Sequence, residues 1–262
     1  MNGTRLLVAC TVLSCTAACD LDTALAPRVE LDVLVQPTQD NFTTDDDTTI
    51  QLAEARMALQ TIEFTTEGEM HARAGVLPAL HDLVVPTAFA HPGHDAGGEV
   101  VGELVGRFVV DFLDPGAVLG QATLLSADYS GANFGFSLAE AGDGLDADDP
   151  IIGHTFVLAG TATRGDVEVE FVAYVDQDED RSIIGLPLDF EATEASTEQL
   201  GLRFDPVDAI EGDTIFDGID LIALDDDRDG FEELSSEENP EAWATLRRNL
   251  QVHDHYAVEV IR

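Results

Sequence analysis

The sequence contains no lysine, and its 12 basic residues are all arginine, against 52 aspartate and glutamate residues. The formal net charge is therefore −40 at pH 7. A field of this sign repels phosphate, which excludes binding to nucleic acid or to anionic lipid through a basic surface. Because 45% of the residues are apolar, the chain can still bury a core, which argues against wholesale disorder.

Cysteine is missing from most of the chain. Cys10, Cys15 and Cys19 are the only three, and the first 19 residues hold them all, which excludes a disulfide framework in the remainder. Residues 1–19 have the layout of a secretory signal: one arginine, a short apolar run and then small residues. The apolar run is shorter than the about 20 residues that a membrane-spanning helix needs.

Cysteine at the cleavage boundary resembles the lipobox of bacterial lipoproteins, in which the thiol is acylated and becomes the new N-terminus. We favour Cys19, because cleavage there leaves no free thiol in the exported chain. Cys15 is the alternative, since a more apolar residue, Val12, lies three positions before it. A third interpretation is a cleaved signal without lipidation. The sequence thus predicts an exported protein anchored to the bacterial cell envelope, as a periplasmic or outer-membrane lipoprotein.

After the signal, the sequence predicts an extended N-terminal tether over residues 20–49 and a single domain over residues 50–262, with a His-rich insert at 71–98. The tether contains a strand-like stretch at Val29–Val35 and a polar segment at Gln36–Thr49. The domain alternates short apolar-patterned runs with Gly, Asp and Pro turns, which is typical of an antiparallel β-sandwich. The predicted strands are Ile50–Phe64, Val100–Leu113, Ala122–Ala127, Asn133–Leu138, His154–Thr163, Val167–Val175, Thr197–Asp205, Gly218–Leu224 and His255–Ile261.

Two elements, one strand and one helix, are predicted from more detailed patterns. Ile50–Phe64 also fits a helical stripe, but in an all-β context it is predicted to be a long, bulged strand. One short C-terminal helix is predicted after Asn239, which can cap it, with Pro240 at its first position. Trp243 is expected to anchor this helix to the core.

A recurring order of elements is formed by Phe108–Asp114 with Leu119–Gly120, by Ala127–Phe134, by Gly201–Pro206 and Phe216–Asp220, and by the helix containing Trp243 and Leu246. This order resembles that of exported bacterial β-sandwich lipoproteins, similar to the DUF4382-like and methanobactin-associated copper-protein-like groups. This resemblance implies a transthyretin-like or immunoglobulin-like sandwich fold and carries no activity with it. The chain differs from the copper proteins because it has no ligating cysteine beyond the signal.

Histidines indicate a possible transition-metal site. His91, His94 and Asp95 lie on one short, turn-forming loop, and imidazole is a good ligand for zinc or copper. His253 and His255 are two residues apart, so in an extended strand they would project from the same face. If the loop folds over that strand end, a zinc or copper site of three or four ligands without thiolate results. The alternative is that these histidines are simply solvated.

An acidic loop indicates a calcium site. Asp225, Asp227 and Asp229 alternate before Gly230, as in the first half of a calcium-binding loop. The second half departs from that pattern, because Ser236 stands at the twelfth position, where a bidentate glutamate is expected. In so acidic a chain, solvated carboxylate clusters are the competing interpretation.

Motifs of catalysis are missing: there is no G-x-S-x-G elbow, no H-E-x-x-H and no glycine-rich phosphate loop. We therefore expect a binding module rather than an enzyme. Its first expected ligand is a divalent transition metal at the His-rich loop. The alternative is an adhesion or assembly module that binds an envelope protein or a glycan, with calcium stabilising the acidic loops.

We predict that Cys19→Ala abolishes incorporation of a clickable fatty acid into the exported chain, whereas Cys15→Ala leaves labelling unchanged. The measurement is fluorescence of the labelled band after cell growth with the fatty-acid analogue. Loss of label only in the Cys15 variant would move the anchor to Cys15. An unlabelled wild-type protein would contradict lipidation altogether.

Overall fold

The computed structural model describes residues 27–66 and 98–262, and over this part the protein is mostly β. The mostly-β prediction is therefore confirmed. The described strands are β1 (Arg28–Val35), β2 (Asn41–Thr43), β3 (Thr49–Thr66), β4 (Glu99–Asp111), β5 (Val118–Leu125), β6 (Asp128–Phe136), β7 (Phe156–Arg164), β8 (Val167–Val175), β9 (Ser182–Glu191), β10 (Gln199–Phe204), β11 (Phe231–Leu234) and β12 (Tyr256–Ile261). The α-helices are α1 (Leu221–Leu224) and α2 (Pro240–Asn249), and 3-10 turns occur at Ala141–Asp143 and His253–His255.

These strands form one large mixed sheet rather than a purely antiparallel arrangement. Its main path runs β11-β8-β7-β3-β4-β5-β1-β10-β12, with β2 and β6 branching from β3 and β9 pairing with β6. Two pairs, β1 with β10 and β11 with β8, are parallel, so the prediction of an antiparallel sheet is wrong for them. The physical reason is connectivity: each pair is joined by a long excursion of chain instead of a tight hairpin.

The long strand β3 organises the sheet. Its first half pairs with β7 and its second half with β6, while β2 and β4 lie along its other edge. Register shifts at Leu52/Glu54 and Gln60/Ile62 bend the strand between these partners, and Thr61 adopts a positive φ of 30° at the second shift. The predicted bulged strand over Ile50–Phe64 is thus confirmed.

An aromatic core joins distant strands. Tyr256 of β12 lies 5.3 Å, between ring centroids, from Phe134 of β6 and 5.6 Å from Phe204 of β10. Phe204 in turn lies 5.3 Å from Phe112, and Phe136 lies 5.6 Å from Phe156. The sheet therefore curls until its edge strand β12 lies beside β9. A smaller core of Ala58, Ala139, Ile151 and Val157 lies apart from the main one.

The structure differs from the predicted tether at 20–49. In its described part, β1 pairs with β5 and β10 and buries the alternating apolar side chains of Val29–Val35. The polar segment that follows is also fixed, because Phe42 stacks on Phe216 at 6.3 Å and Asp46 pairs with Arg164 at 2.7 Å. Contacts with distant parts of the chain hold a segment whose own composition favours disorder.

Three local elements also differ from what the sequence analysis predicted. Gly218–Leu224 was expected to be a strand, but Asp220 accepts a hydrogen bond from the Ala223 amide at 3.0 Å and caps α1 instead. The edge strand β9 was not predicted, because Gly185 and Pro187 interrupt its alternation. The four-residue β11 was also missed, since it is too short to show a period.

The C-terminal helix is confirmed as α2, with different anchoring. Asn239 makes no side-chain cap, and its amide donates instead to the Glu233 carbonyl at 2.9 Å and to the Glu232 carboxylate. Trp243 packs against the main core and donates its indole N–H to the Tyr174 carbonyl at 2.8 Å. The indole therefore ties α2 to β8, as expected for a core anchor.

We predict that Gly160→Ala destabilises the protein by about 1–3 kcal/mol, since a methyl group there would overlap the Gln51 carbonyl across the β3–β7 bulge. The free energy of unfolding from urea titration measures this. Gly142→Ala is the matched control, because nothing lies within 4 Å of the position of its added methyl group. Equal stability of the two variants would contradict the close approach of β3 and β7.

Candidate functional site

The acidic loop lies between α1 and β11. Its ligand atoms on Asp225, Asp227 and Asp229 lie within 4.8 Å of one another, which makes this a candidate cation site. The structure thus brings together the three carboxylates that the sequence predicted as a group. Exposed acidic groups also converge in proteins that bind no metal.

Backbone geometry holds these carboxylates together. Asp225 accepts hydrogen bonds from the amides of Asp229, at 3.1 Å, and Gly230, at 3.2 Å. Asp227 accepts from the Asp229 amide at 3.2 Å, and Asp229 accepts from the Phe231 amide at 2.9 Å. Gly230 has a φ of 83°, a conformation that glycine adopts without steric cost. The loop therefore turns sharply before β11 begins.

Glu232 is a further acidic residue of this region that sequence analysis missed. Burial raises the pKa of Glu232 above its ordinary value, and the charges of Asp225, Asp226 and Asp227 raise it further. A hydrogen bond from Asn239 opposes this effect. The pairing of β11 with β8 fixes Glu232 where the negative charges of the acidic loop act on it. The position of Glu232, two residues after Gly230, was visible in the sequence. The effect of the neighbouring aspartate charges on its pKa depends on the tertiary structure and was not.

The second half of the loop differs from a helix–loop–helix calcium site. Residues 231–234 form β11, and α2 begins only at Pro240. Calcium binds six to eight oxygens, so the three aspartates would leave several positions for water and backbone carbonyls. Protein ligands would therefore not enclose a calcium ion at this loop.

The predicted C-terminal half of the transition-metal site does not form as expected. His253–His255 is a 3-10 turn, so the prediction of an extended segment with both imidazoles on one face is wrong. His255 is buried, with its Nδ1 2.9 Å from the Asp205 carbonyl oxygen, whereas His253 is part-exposed with its Nε2 3.0 Å from Asp254. The His255 amide donates to the Val252 carbonyl at 3.3 Å and the Tyr256 amide donates to the His253 carbonyl, and these local bonds close the turn before β12 begins.

In other acidic turns, aspartate side chains form ion pairs with arginine. Asp149 accepts a bidentate pair of hydrogen bonds from Arg56, at 2.8 and 2.9 Å, and these hold the pKa of Asp149 below its ordinary value. Asp143 pairs with Arg107 at 3.2 Å. In the acidic run 176–180, Asp178 pairs with Arg247 at 2.8 Å. These carboxylates serve the fold as ion-pair partners.

A histidine–carboxylate pair was not predicted from the sequence. The Nδ1 of His154 lies 2.7 Å from Asp176, and its ring packs on Tyr174 with centroids 5.0 Å apart. The two partners are 22 residues apart and meet because β7 and β8 form a hairpin. No spacing signal in the sequence could have paired them.

The remaining predicted site residues, Cys15, Cys19, His91, His94 and Asp95, lie outside the described residues. Among the helices within 27–66 and 98–262, none has the length and apolar character needed to span a bilayer. No protein-family model matches the chain, and no curated protein or solved structure matches it either. The resemblance to the lipoprotein groups stays a prediction.

We predict that acid weakens the fold through His255. Burial lowers the pKa of His255 below 6.5, its ordinary value, so the unfolded chain takes up a proton first as the pH falls through 6.5. The free energy of unfolding should then fall by at most about 1.4 kcal/mol per pH unit from this group. Denaturant titrations of wild type and His255→Asn between pH 8 and 5 measure the difference.

The His255→Asn variant lacks this titration and should lose less stability between pH 7 and 5 than the wild type. His253→Asn, on the part-exposed side of the same turn, is the control and should follow the wild type. Identical pH profiles for all three proteins would contradict a buried, neutral His255.

Proposed function

We propose that the chain is an exported bacterial lipoprotein whose β domain is a binding module rather than an enzyme, with calcium as the ligand of the Asp225–Asp229 loop. Acylation of Cys19, or alternatively Cys15, anchors it to the cell envelope. The module recognises an envelope protein or a glycan, and calcium stabilises the acidic loop before β11. For the fold, we infer a sandwich of the transthyretin-like or immunoglobulin-like kind, elaborated by the two parallel strand pairs.

The convergence of Asp225, Asp227 and Asp229 within 4.8 Å carries the calcium proposal. A net charge of −40 adds a general attraction for cations around this loop. Oxygen ligands without imidazole or thiolate match the preference of calcium rather than that of zinc or copper.

The transition-metal proposal keeps His91, His94 and Asp95 as its ligands. Its C-terminal contribution is reduced to His253, since His255 is buried against the Asp205 carbonyl. Calcium is therefore the ligand better supported by the described residues.

We predict that calcium raises the thermal unfolding midpoint of the full-length protein. At a calcium concentration one hundred times Kd, the stabilisation is about 2.7 kcal/mol, which corresponds to roughly 5–10 °C for a chain of this size. The double variant Asp227→Asn/Asp229→Asn should lose this shift. Differential scanning calorimetry with calcium and then with excess chelator measures it.

The matched control is Asp146→Asn/Asp148→Asn, which removes two exposed carboxylates from another turn and should keep the full shift. An equal shift in both double variants would assign the effect to general screening and contradict the loop site. Elemental analysis of protein purified without added metal gives the second test. Stoichiometric zinc or copper, lost on His91→Ala/His94→Ala, would favour the transition-metal alternative.

A further inference from the structure

A cleft opens where the edge strand β12 lies beside β9, the last strand of the branch that runs through β6. It has a volume of about 740 Å³ and lies between the start of β9 and the segment that links α2 to β12. The curl places β9 and β12 side by side, while the ladder partners of these strands are β6 and β10. A cleft of this size accommodates a small organic ligand.

Two opposite charges line this cleft without partners. Neither Asp180 nor Arg181 has a side-chain hydrogen bond or ion pair within the described residues. This distinguishes Arg181 from Arg56 and Arg247, which are engaged by aspartates. A guanidinium binds a carboxylate through two parallel hydrogen bonds, and a carboxylate binds an ammonium group. The cleft therefore offers one partner for each end of a dipolar ion.

Apolar side chains form part of the cleft, which Ser182, Gln251 and His253 also line. Phe136 and Ile183 are buried beneath it, and Ile184 lies beside them. Val252, which is 42% exposed, adds apolar surface to the cleft. Gln251 donates to Gln177 at 2.5 Å, which holds its amide in place at the edge of the cleft. The lining combines an apolar surface with a few polar groups, as small-molecule sites do.

The net charge of the protein and the two charges in the cleft favour a zwitterionic ligand over an anionic or a cationic one. An anionic ligand would approach against a net charge of −40, and Asp180 would repel it within the cleft. A purely cationic ligand would leave Arg181 unused and facing a like charge. A zwitterion carries no net charge and satisfies both side chains.

We propose that this cleft binds an apolar α-amino acid, with its carboxylate on Arg181, its ammonium group on Asp180 and its side chain against Ile184 and Val252. The proposal is independent of calcium in the Asp225–Asp229 loop. It makes the protein a binding module for a small zwitterion in addition to any envelope partner.

Isothermal titration of the full-length protein with L-leucine tests this proposal. The expected result is saturable binding in the millimolar range or tighter, unchanged by chelator. Isocaproate lacks the ammonium group, isoamylamine lacks the carboxylate and N-acetyl-L-leucinamide lacks both charges, and each should bind at least about tenfold more weakly. A carboxylate-only ligand that binds as tightly as leucine would overturn the zwitterion assignment.

Variants locate the site. Arg181→Gln and Asp180→Asn should each weaken leucine binding by about tenfold or more, because each removes one charged hydrogen-bonding partner. Arg28→Gln and Asp189→Asn remove the same charges from exposed positions outside the cleft and should bind normally. Thermal midpoints confirm that all four variants fold. Absence of leucine binding by the wild type, or equal binding by all four variants, would overturn the proposal.

Discussion

The fold depends on the ability of β3 to pair with four strands at once. An ordinary strand has one neighbour on each edge, but the 18 residues of β3 are long enough to change partners halfway. The register shift at Gln60/Ile62 supplies the bend, and the left-handed φ of Thr61 is its local cost. Along one edge of β3, β7 and β8 continue the sheet from its first half, whereas β6 and β9 continue it from its second half. The acidic loop precedes β11, which pairs with β8, and the cleft opens at the start of β9.

Because basic residues are scarce, a single arginine can form ion pairs with several acidic segments. Arg164 bridges Asp46 and Asp220 at 2.7 Å each, so one guanidinium holds both the segment before β3 and the start of α1. Such solvent-accessible ion pairs contribute only modestly to the free energy of unfolding. Their main effect is positional, since they hold carboxylate-rich turns that would otherwise repel one another.

Strands and helices that depend on the sequence pattern of their own residues could be predicted. The alternation of Val167–Val175 is visible in the sequence and gives β8, and Pro240 marks the start of α2. The segment before β3 could not be predicted, because Phe42 and Asp46 are fixed by residues more than 100 positions away. The acidic triad was predictable from its spacing. The cleft was not, because Arg181 and Gln251 meet only after the sheet curls.

The parallel pairing of β1 with β10 sets an order of events for folding. Val33 of β1 pairs with Leu200, which follows it by 167 residues. The parallel partner of the first described strand is therefore synthesised much later than the strand itself. Contacts so distant in sequence slow folding, because a long loop must close before they form. A chain that is synthesised from its N-terminus must keep β1 unpaired on this edge until residues 199–204 arrive. The same strand can form its antiparallel ladder with β5 much earlier, which shields its apolar residues during the wait.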